Sequence, residues 1–198
     1  MHGVFTDGLW RDDMNVFYLD PIPGECAMMH NDKHVNKMII EYAQILSTNH
    51  RILDGRKVIE QRTNEKTGRK YNVTTYRLDD ERDDILYKAC HFNHPSTVWA
   101  RQNSANYKWL YQLWYALAQE YRYRYNRVHL TYEKLYRHLP RLPDNIAEGD
   151  FYEPTPAMGK FPECIVEGDS LQSYRNYYMV AKRSFNVWTQ RPTPAWYV

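Results

Sequence analysis

Apolar side chains recur at helical spacing in three long parts of this chain, while a short part is β-prone. From about Glu25 to Ser47, the positions Val35, Met38, Ile39, Tyr42, Ile45 and Leu46 fall three and four apart, which predicts a helix with one apolar face. A second helix is expected to begin near His94-Pro95-Ser96, break near Asn103-Ser104 and run on to about Asn126. Its stripe is Leu110, Leu113, Trp114, Leu117 and Tyr121. The third stripe is Leu171, Tyr174, Tyr178, Ala181, Phe185 and Trp188, introduced by Asp169 and Gln172 at capping-box spacing. Between these lie shorter signals. Asn15–Leu19 is apolar, β-prone and closed by Asp20-Pro21, which predicts a strand or extended segment. Lys57–Arg62 and Tyr71–Leu78 flank Thr63–Gly68, which predicts a hairpin. Thr131 is a plausible N-cap for a short helix carrying Leu135 and Leu139 that Pro140 stops. Pro143, Pro154, Pro156 and Pro162 predict an irregular crossing between Arg141 and Gly168, and Asp79, Asp80, Glu81, Asp83 and Asp84 predict a solvated face or linker. The expected architecture is mainly α: a compact single-domain helical bundle over 14–198, with a short N-terminal extended segment and a small β-hairpin insertion at about 54–78. Residues 1–13 form a polar N-terminal extension.

Composition narrows the function classes only a little. At 198 residues the chain suits one domain. No apolar run approaches the roughly 20 residues of a membrane span, and a 15% aromatic content, including 18 Tyr and 6 Trp, excludes wholesale disorder. Cys26, Cys90 and Cys164 are odd in number and widely spaced, which points to neither a disulfide framework nor a zinc knuckle and favours a reducing cytoplasm. The net charge of +2 does not by itself demand a nucleic-acid partner, but its distribution is uneven. Basic residues gather in the hairpin (Arg56, Lys57, Arg62, Lys66, Arg69, Lys70, Arg77) and between Arg101 and Arg141, while the compensating acids lie elsewhere. That pattern is the footprint expected of a nucleic-acid-binding face.

Side chains able to do chemistry gather in three places. On a helix, His30, His34, Lys37, Glu41 and Gln44 share one face, distinct from the apolar stripe. Such a row can transfer protons, with a partly buried Glu as general base. Its bland counterpart is a hydrated face with Lys–Glu pairing, and His30 with His34 is a further, incomplete metal pair. The second place, His91–Asn103, sets His94, Arg101 and Asn103 at a loop-to-helix junction that can receive an anion or simply cap the helix around Trp99. The third is Tyr121–Arg127, where Arg122 and Arg124 alternate with tyrosines. These can grip phosphates and stack on unpaired bases, or divide into core tyrosines and solvated arginines.

Together the segments MNVFYLD, HNDKHVNKMIIEYAQILS, NHPSTVWARQNSANYKWLYQLWYALAQEYRYRYNRVH and SYRNYYMVAKRSFNVW resemble a group of small tailed-phage proteins, over most of 14–198. More distantly, they resemble the phage pyrimidine-dimer DNA glycosylases of the endonuclease V type. That family's first long helix carries a histidine and, seven residues on, the catalytic glutamate. The resemblance places these roles on His34 and Glu41, and the family's DNA-facing aromatic-basic segment on Tyr174-Arg175-Asn176-Tyr177-Tyr178. It implies a compact helical enzyme that kinks DNA and cleaves the glycosidic bond of a flipped pyrimidine, with no metal and no cofactor. The catalytic set would be Glu41, His34 and Lys37. The substrate contacts would be His30, Gln44, His94, Arg101, Asn103, Arg122, Arg124, Arg175 and Tyr177. Three departures bear on this reading. The family's nucleophile is the α-amine of an N-terminal threonine, whereas here the matching start is Met14 or Asn15, so Lys37 would have to substitute. Arginines beside the family's glutamate are replaced by Ile40 and Gln44. The hairpin, Asp54 to Tyr76, has no counterpart in the smallest members. Two other functions fit the same residues: group transfer, such as of an amino acid, onto a modified pyrimidine; or a non-enzymatic nucleic-acid-binding or virion protein. The expected setting is the cytoplasm of an infected cell, with DNA as the partner, other phage proteins left unidentified, and no membrane.

Overall fold

The structure is a computed structural model that describes residues 14–198; the predicted extension, 1–13, lies outside the described residues. Its helices are α1 (Pro23–Met29), α2 (Asp32–Asp54), α3 (Arg82–Ile85), α4 (Pro95–Gln102), α5 (Ser104–Tyr125), α6 (Leu130–Leu135) and α7 (Ser170–Val180). The antiparallel hairpin joins β1 (Arg56–Thr63) to β2 (Lys70–Arg77), with Arg56 opposite Arg77 and Thr63 opposite Lys70. The fold is therefore mainly helical with one hairpin. The core lies where α5 packs across α1 and α2, with α4 against α2. Indole N–H groups tie its layers. Trp114 donates to the Ile39 carbonyl (2.9 Å), Trp109 to that of Pro21 (2.8 Å) and Trp99 to that of Tyr152 (2.9 Å).

The predicted first helix is two helices. His30 adopts extended backbone (ψ 135°), and Asn31 caps α2 by accepting from the His34 N–H at 2.8 Å. α2 then runs past Ser47 to Asp54, and Ser47, Thr48, Asn49, His50 and Arg51 are all fully buried. Periodicity ends the helix early because it assumes polar residues face water. Here the Arg51 guanidinium instead donates to the carbonyls of Tyr76 (3.1 Å), Asp83 (2.7 Å), Leu86 (2.9 Å) and Tyr87 (2.7 Å), and pairs with the Asp83 carboxylate. The acidic run is thus more than a solvated linker. Asp83 is buried and also takes the Leu78 N–H (3.0 Å), while the buried Arg82 bridges Asp54 (2.6 Å) and Asp80 (2.7 Å). Gly55, between α2 and β1, has no room for a side chain: a Cβ would lie 2.4 Å from the Arg51 carbonyl oxygen and 2.7 Å from that of Arg77.

The predicted break at Asn103 is present. Its side chain caps α5 by accepting from the Asn106 N–H (2.9 Å), and its amide donates to the Asp150 carbonyl (3.0 Å). α6 is capped by His129 rather than Thr131; the imidazole Nδ1 accepts the Thr131 N–H at 3.2 Å. α7 has half of the expected capping box. Asp169 accepts from Gln172 N–H (2.8 Å), but the Gln172 side chain donates to Asn176 (2.8 Å). The helix ends at Val180, where Asn186 closes it by donating to the Tyr178 carbonyl (2.8 Å). Trp188 therefore joins the core, and Phe185 meets His34 edge-on at 5.8 Å, through a short 3-10 turn, Arg183–Phe185, and the segment after it. Asn15–Leu19 is extended and deeply buried but joins no sheet. Side chains take its amides: Tyr42 Oη that of Phe17 (3.0 Å) and Cys26 Sγ that of Leu19 (3.3 Å).

Candidate functional site

The row read from α2 divides at its first turn. His30 and His34 are buried in an aromatic cluster. His34 stacks on Phe17 (ring centroids 4.2 Å apart) and meets Tyr178 edge-on at 5.2 Å. A hydrogen bond to a carbonyl fixes the tautomer of His30. His30 donates from Nδ1 to the Cys26 carbonyl (2.7 Å), so its Nε2 accepts from the Tyr42 hydroxyl (3.3 Å), whose oxygen already takes the Phe17 N–H. His34 Nδ1 and the Tyr178 hydroxyl share a hydrogen bond at 2.6 Å. Burial lowers the His30 pKa to about 4; it also drives His34 well below its ordinary value, helped by His30, Lys182, Lys37 and Lys33 nearby. Both imidazoles are neutral. Cys26 is equally inert: its thiol donates to the Phe17 carbonyl (3.2 Å), and burial pushes its pKa up to about 12.

The lower half of the row is different. Lys37 Nζ lies 3.0 Å from Glu41 Oε1, and the two side chains are 19% and 13% exposed. Gln44 follows half-buried. The pair is within reach of solvent yet shielded enough for its charges to act on a substrate. Lys37 also borders an open groove of about 770 Å³ between α2 and the end of α5. The substrate contacts expected elsewhere on the chain do not converge on this pair through the bonds they make. His94 caps α4 (Nδ1 accepting from Ser96 N–H, 3.3 Å), Asn103 caps α5, and Arg101 donates to the Phe92 carbonyl at 2.7 Å. Arg175 is held on the Leu19 carbonyl (2.9 Å) beside Trp196. Tyr177, read as a DNA-facing tyrosine, is buried with Lys182 Nζ 4.7 Å over its ring. Arg122 is exposed.

Arg124 shows why an arginine in a basic run need not be solvated. It donates to Glu120 (2.7 Å), Asp32 (2.9 Å) and the Met28 carbonyl (2.9 Å), while Arg191 takes the remaining oxygen of Glu120 (2.8 Å). Two acids thus meet two arginines. Burial opposes the charge on Asp32, but hydrogen bonds from Thr189 and Arg124 outweigh it and hold the carboxyl below its usual range. Sequence reasoning passed over Lys33, Asn36 and Asp32 at the groove; the available signal was Lys33 standing four residues before Lys37. Among the described residues no group of three or more His, Cys, Asp or Glu is placed to hold a metal, and no helix is long and apolar enough to cross a membrane. No protein-family model, curated protein or solved structure matches the chain.

Proposed function

We propose that this protein is a DNA-acting enzyme of the cytoplasm of a phage-infected cell, with Glu41 as the catalytic carboxylate acting on a pyrimidine flipped out of the helix. The observation that carries the reading is the 3.0 Å Lys37–Glu41 pair, partly shielded and beside a groove, on a helix face that continues from the neutral, buried His34. In this reading Glu41 activates a nucleophile or stabilises positive charge developing at the sugar C1′, and Lys37 exchanges a proton with it or holds a phosphate. His34 is a positioning residue: neutral, bonded to Tyr178 and stacked on Phe17, it braces the first turns of α2.

Hydrolysis of the glycosidic bond is the leading reaction. Group transfer onto a modified base is the second: burial raises the pKa of all three cysteines, and His30 and His34 are neutral, so the attacking group would come from a second substrate in place of water. Nucleoside mass spectrometry of DNA incubated with the protein separates the two, since a lost base marks hydrolysis and a heavier base marks transfer. Glu41→Gln should slow either reaction about 10²–10⁴-fold, with the melting curve unchanged. Wild-type rates in that variant would overturn the assignment. Steeply salt-dependent DNA binding that survives Glu41→Gln, with no product from wild-type protein, would leave only the binding-protein reading.

A further inference from the structure

We infer that the groove between α2 and α5 is the seat of an unpaired stretch of DNA strand running up to Glu41. The inference rests on the DNA-directed reading of the Lys37–Glu41 pair and adds where, and by what contacts, the substrate strand lies. The groove's volume, about 770 Å³, falls within the roughly 300–1,000 Å³ of small-ligand clefts, so it can hold a base with its sugar. Ile40 supplies an apolar surface, and Tyr121 and Tyr125 line the α5 side. Those rings are held edge-to-face at 5.0 Å, with His129 packed edge-on against Tyr121 at 5.1 Å and the Tyr125 hydroxyl donating to the Asp32 carbonyl (3.4 Å). Fixed aromatic rings beside an apolar surface suit the face of a nucleobase, whatever its identity.

The charge bordering the groove is predominantly positive. Lys33, Lys37 and Arg127 border it, Lys33 and Arg127 being exposed. Lys33 Nζ lies over the Phe185 ring, 4.3 Å from its centroid. The acid that borders it, Asp32, is already neutralised by Arg124 and Thr189. Glu120, deeper in, is matched by Arg124 and Arg191. What remains toward solvent is cationic, with Asn36 as a neutral hydrogen-bonding group. Basic side chains alternating with aromatic rings along a groove form the recognition surface of a single strand rather than of an intact duplex, whose bases are already stacked. Lys37 belongs to both the groove and the Glu41 pair, so a strand lying here passes the candidate catalytic carboxylate.

The test is fluorescence anisotropy of a labelled single-stranded DNA oligonucleotide, its duplex and the RNA of the same sequence, with full-length protein over a range of salt. Tyr125→Leu and Tyr121→Leu should each weaken single-strand binding about ten-fold or more, while Tyr125→Phe, which keeps the ring, binds as wild type. Arg127→Gln and Lys33→Gln, both at exposed positions, should each reduce the slope of log K against log salt by about 0.7. This arm stands even if a tyrosine variant fails to fold. Unchanged affinity in the leucine variants, an unchanged slope in both cation variants, or tighter binding of the RNA would overturn the groove assignment. If those results came with full loss of reaction in Glu41→Gln, the groove alone would fall. If wild-type protein bound no DNA even at low salt, the DNA-directed reading would fall with it.

Discussion

Lowering the pH from 7.5 to 5 should destabilise the protein through its buried histidines, and His30 allows the effect to be sized. In the folded chain its pKa is lowered to about 4 by burial; unfolded, it returns to about 6.5. Because the folded value lies below the unfolded one, the unfolded state binds the extra proton between them. Stability is complete above pH 6.5 and is lost as pH falls through 6.5 toward 4. At about 1.4 kcal/mol per unit, the 1.5 units from 6.5 to 5 cost roughly 2 kcal/mol for His30 alone. His34 adds a loss of the same sign, and the lowered values of His50, His94 and His129 add more. Urea unfolding of wild type and His30→Gln at the two pH values isolates this imidazole. The His30→Gln variant should lose about 2 kcal/mol less than wild type over the same interval. Two results would refute the reasoning: an identical pH dependence in that variant, or an imidazole resonance of His30 titrating near 6.5 in the folded protein. A normal titration of His34 by the same NMR measurement would reopen its assignment as an acid–base catalyst.

Other perturbations test the frame around the site. Arg51→Leu removes the guanidinium that joins α2 to the hairpin and to α3, takes the donor from four backbone carbonyls, and leaves Asp83 with Arg77 (2.8 Å) and the Leu78 N–H. The expected cost is about 3–5 kcal/mol, from the broken buried pair and the unsatisfied carbonyls, a fall of roughly 10 °C in Tm by calorimetry. Gly55→Ala forces a Cβ against two backbone carbonyls and should cost about 1–3 kcal/mol. Gly24→Ala, within α1 and with open space around it, serves as the control and should hold or slightly raise the melting temperature.

The helices and hairpin were legible because each carries a local signal: Pro95 after His94, Asn103 between two apolar stripes, β-prone runs around a glycine-containing tip. The errors came where a side chain does something local pattern cannot express. Asn31 breaks the first helix by capping the second. Ser47–Arg51 continue a helix among buried polar groups. Asn186, reaching back to Tyr178, stops α7 while its apolar stripe goes on. The candidate site divided in the same manner. The spacing of His30, His34, Lys37 and Glu41 on one helix face was readable, but not that the first two would be enclosed by Phe17, Tyr42 and Tyr178 while the pair below them met solvent. The tyrosines sort themselves likewise. Tyr42, Tyr174 and Tyr178 are core as their stripes imply, Tyr123 is exposed, and Tyr177 is buried despite its basic neighbours.

What the amino-acid order determined on its own is the helical class, the hairpin, and the presence of basic and aromatic residues in the same stretches, because backbone propensity, capping and amphipathic periodicity act over a few residues. Which arginines remain available to a substrate was decided only by tertiary packing. Arg124 and Arg127 are three residues apart on one basic run, yet the first is buried between Asp32 and Glu120, and the second stands exposed at the mouth of a groove. A charge's availability depends on the acids that distant parts of the chain bring to it. Asp32 lies 92 positions from Arg124 in sequence and 2.9 Å from it in space.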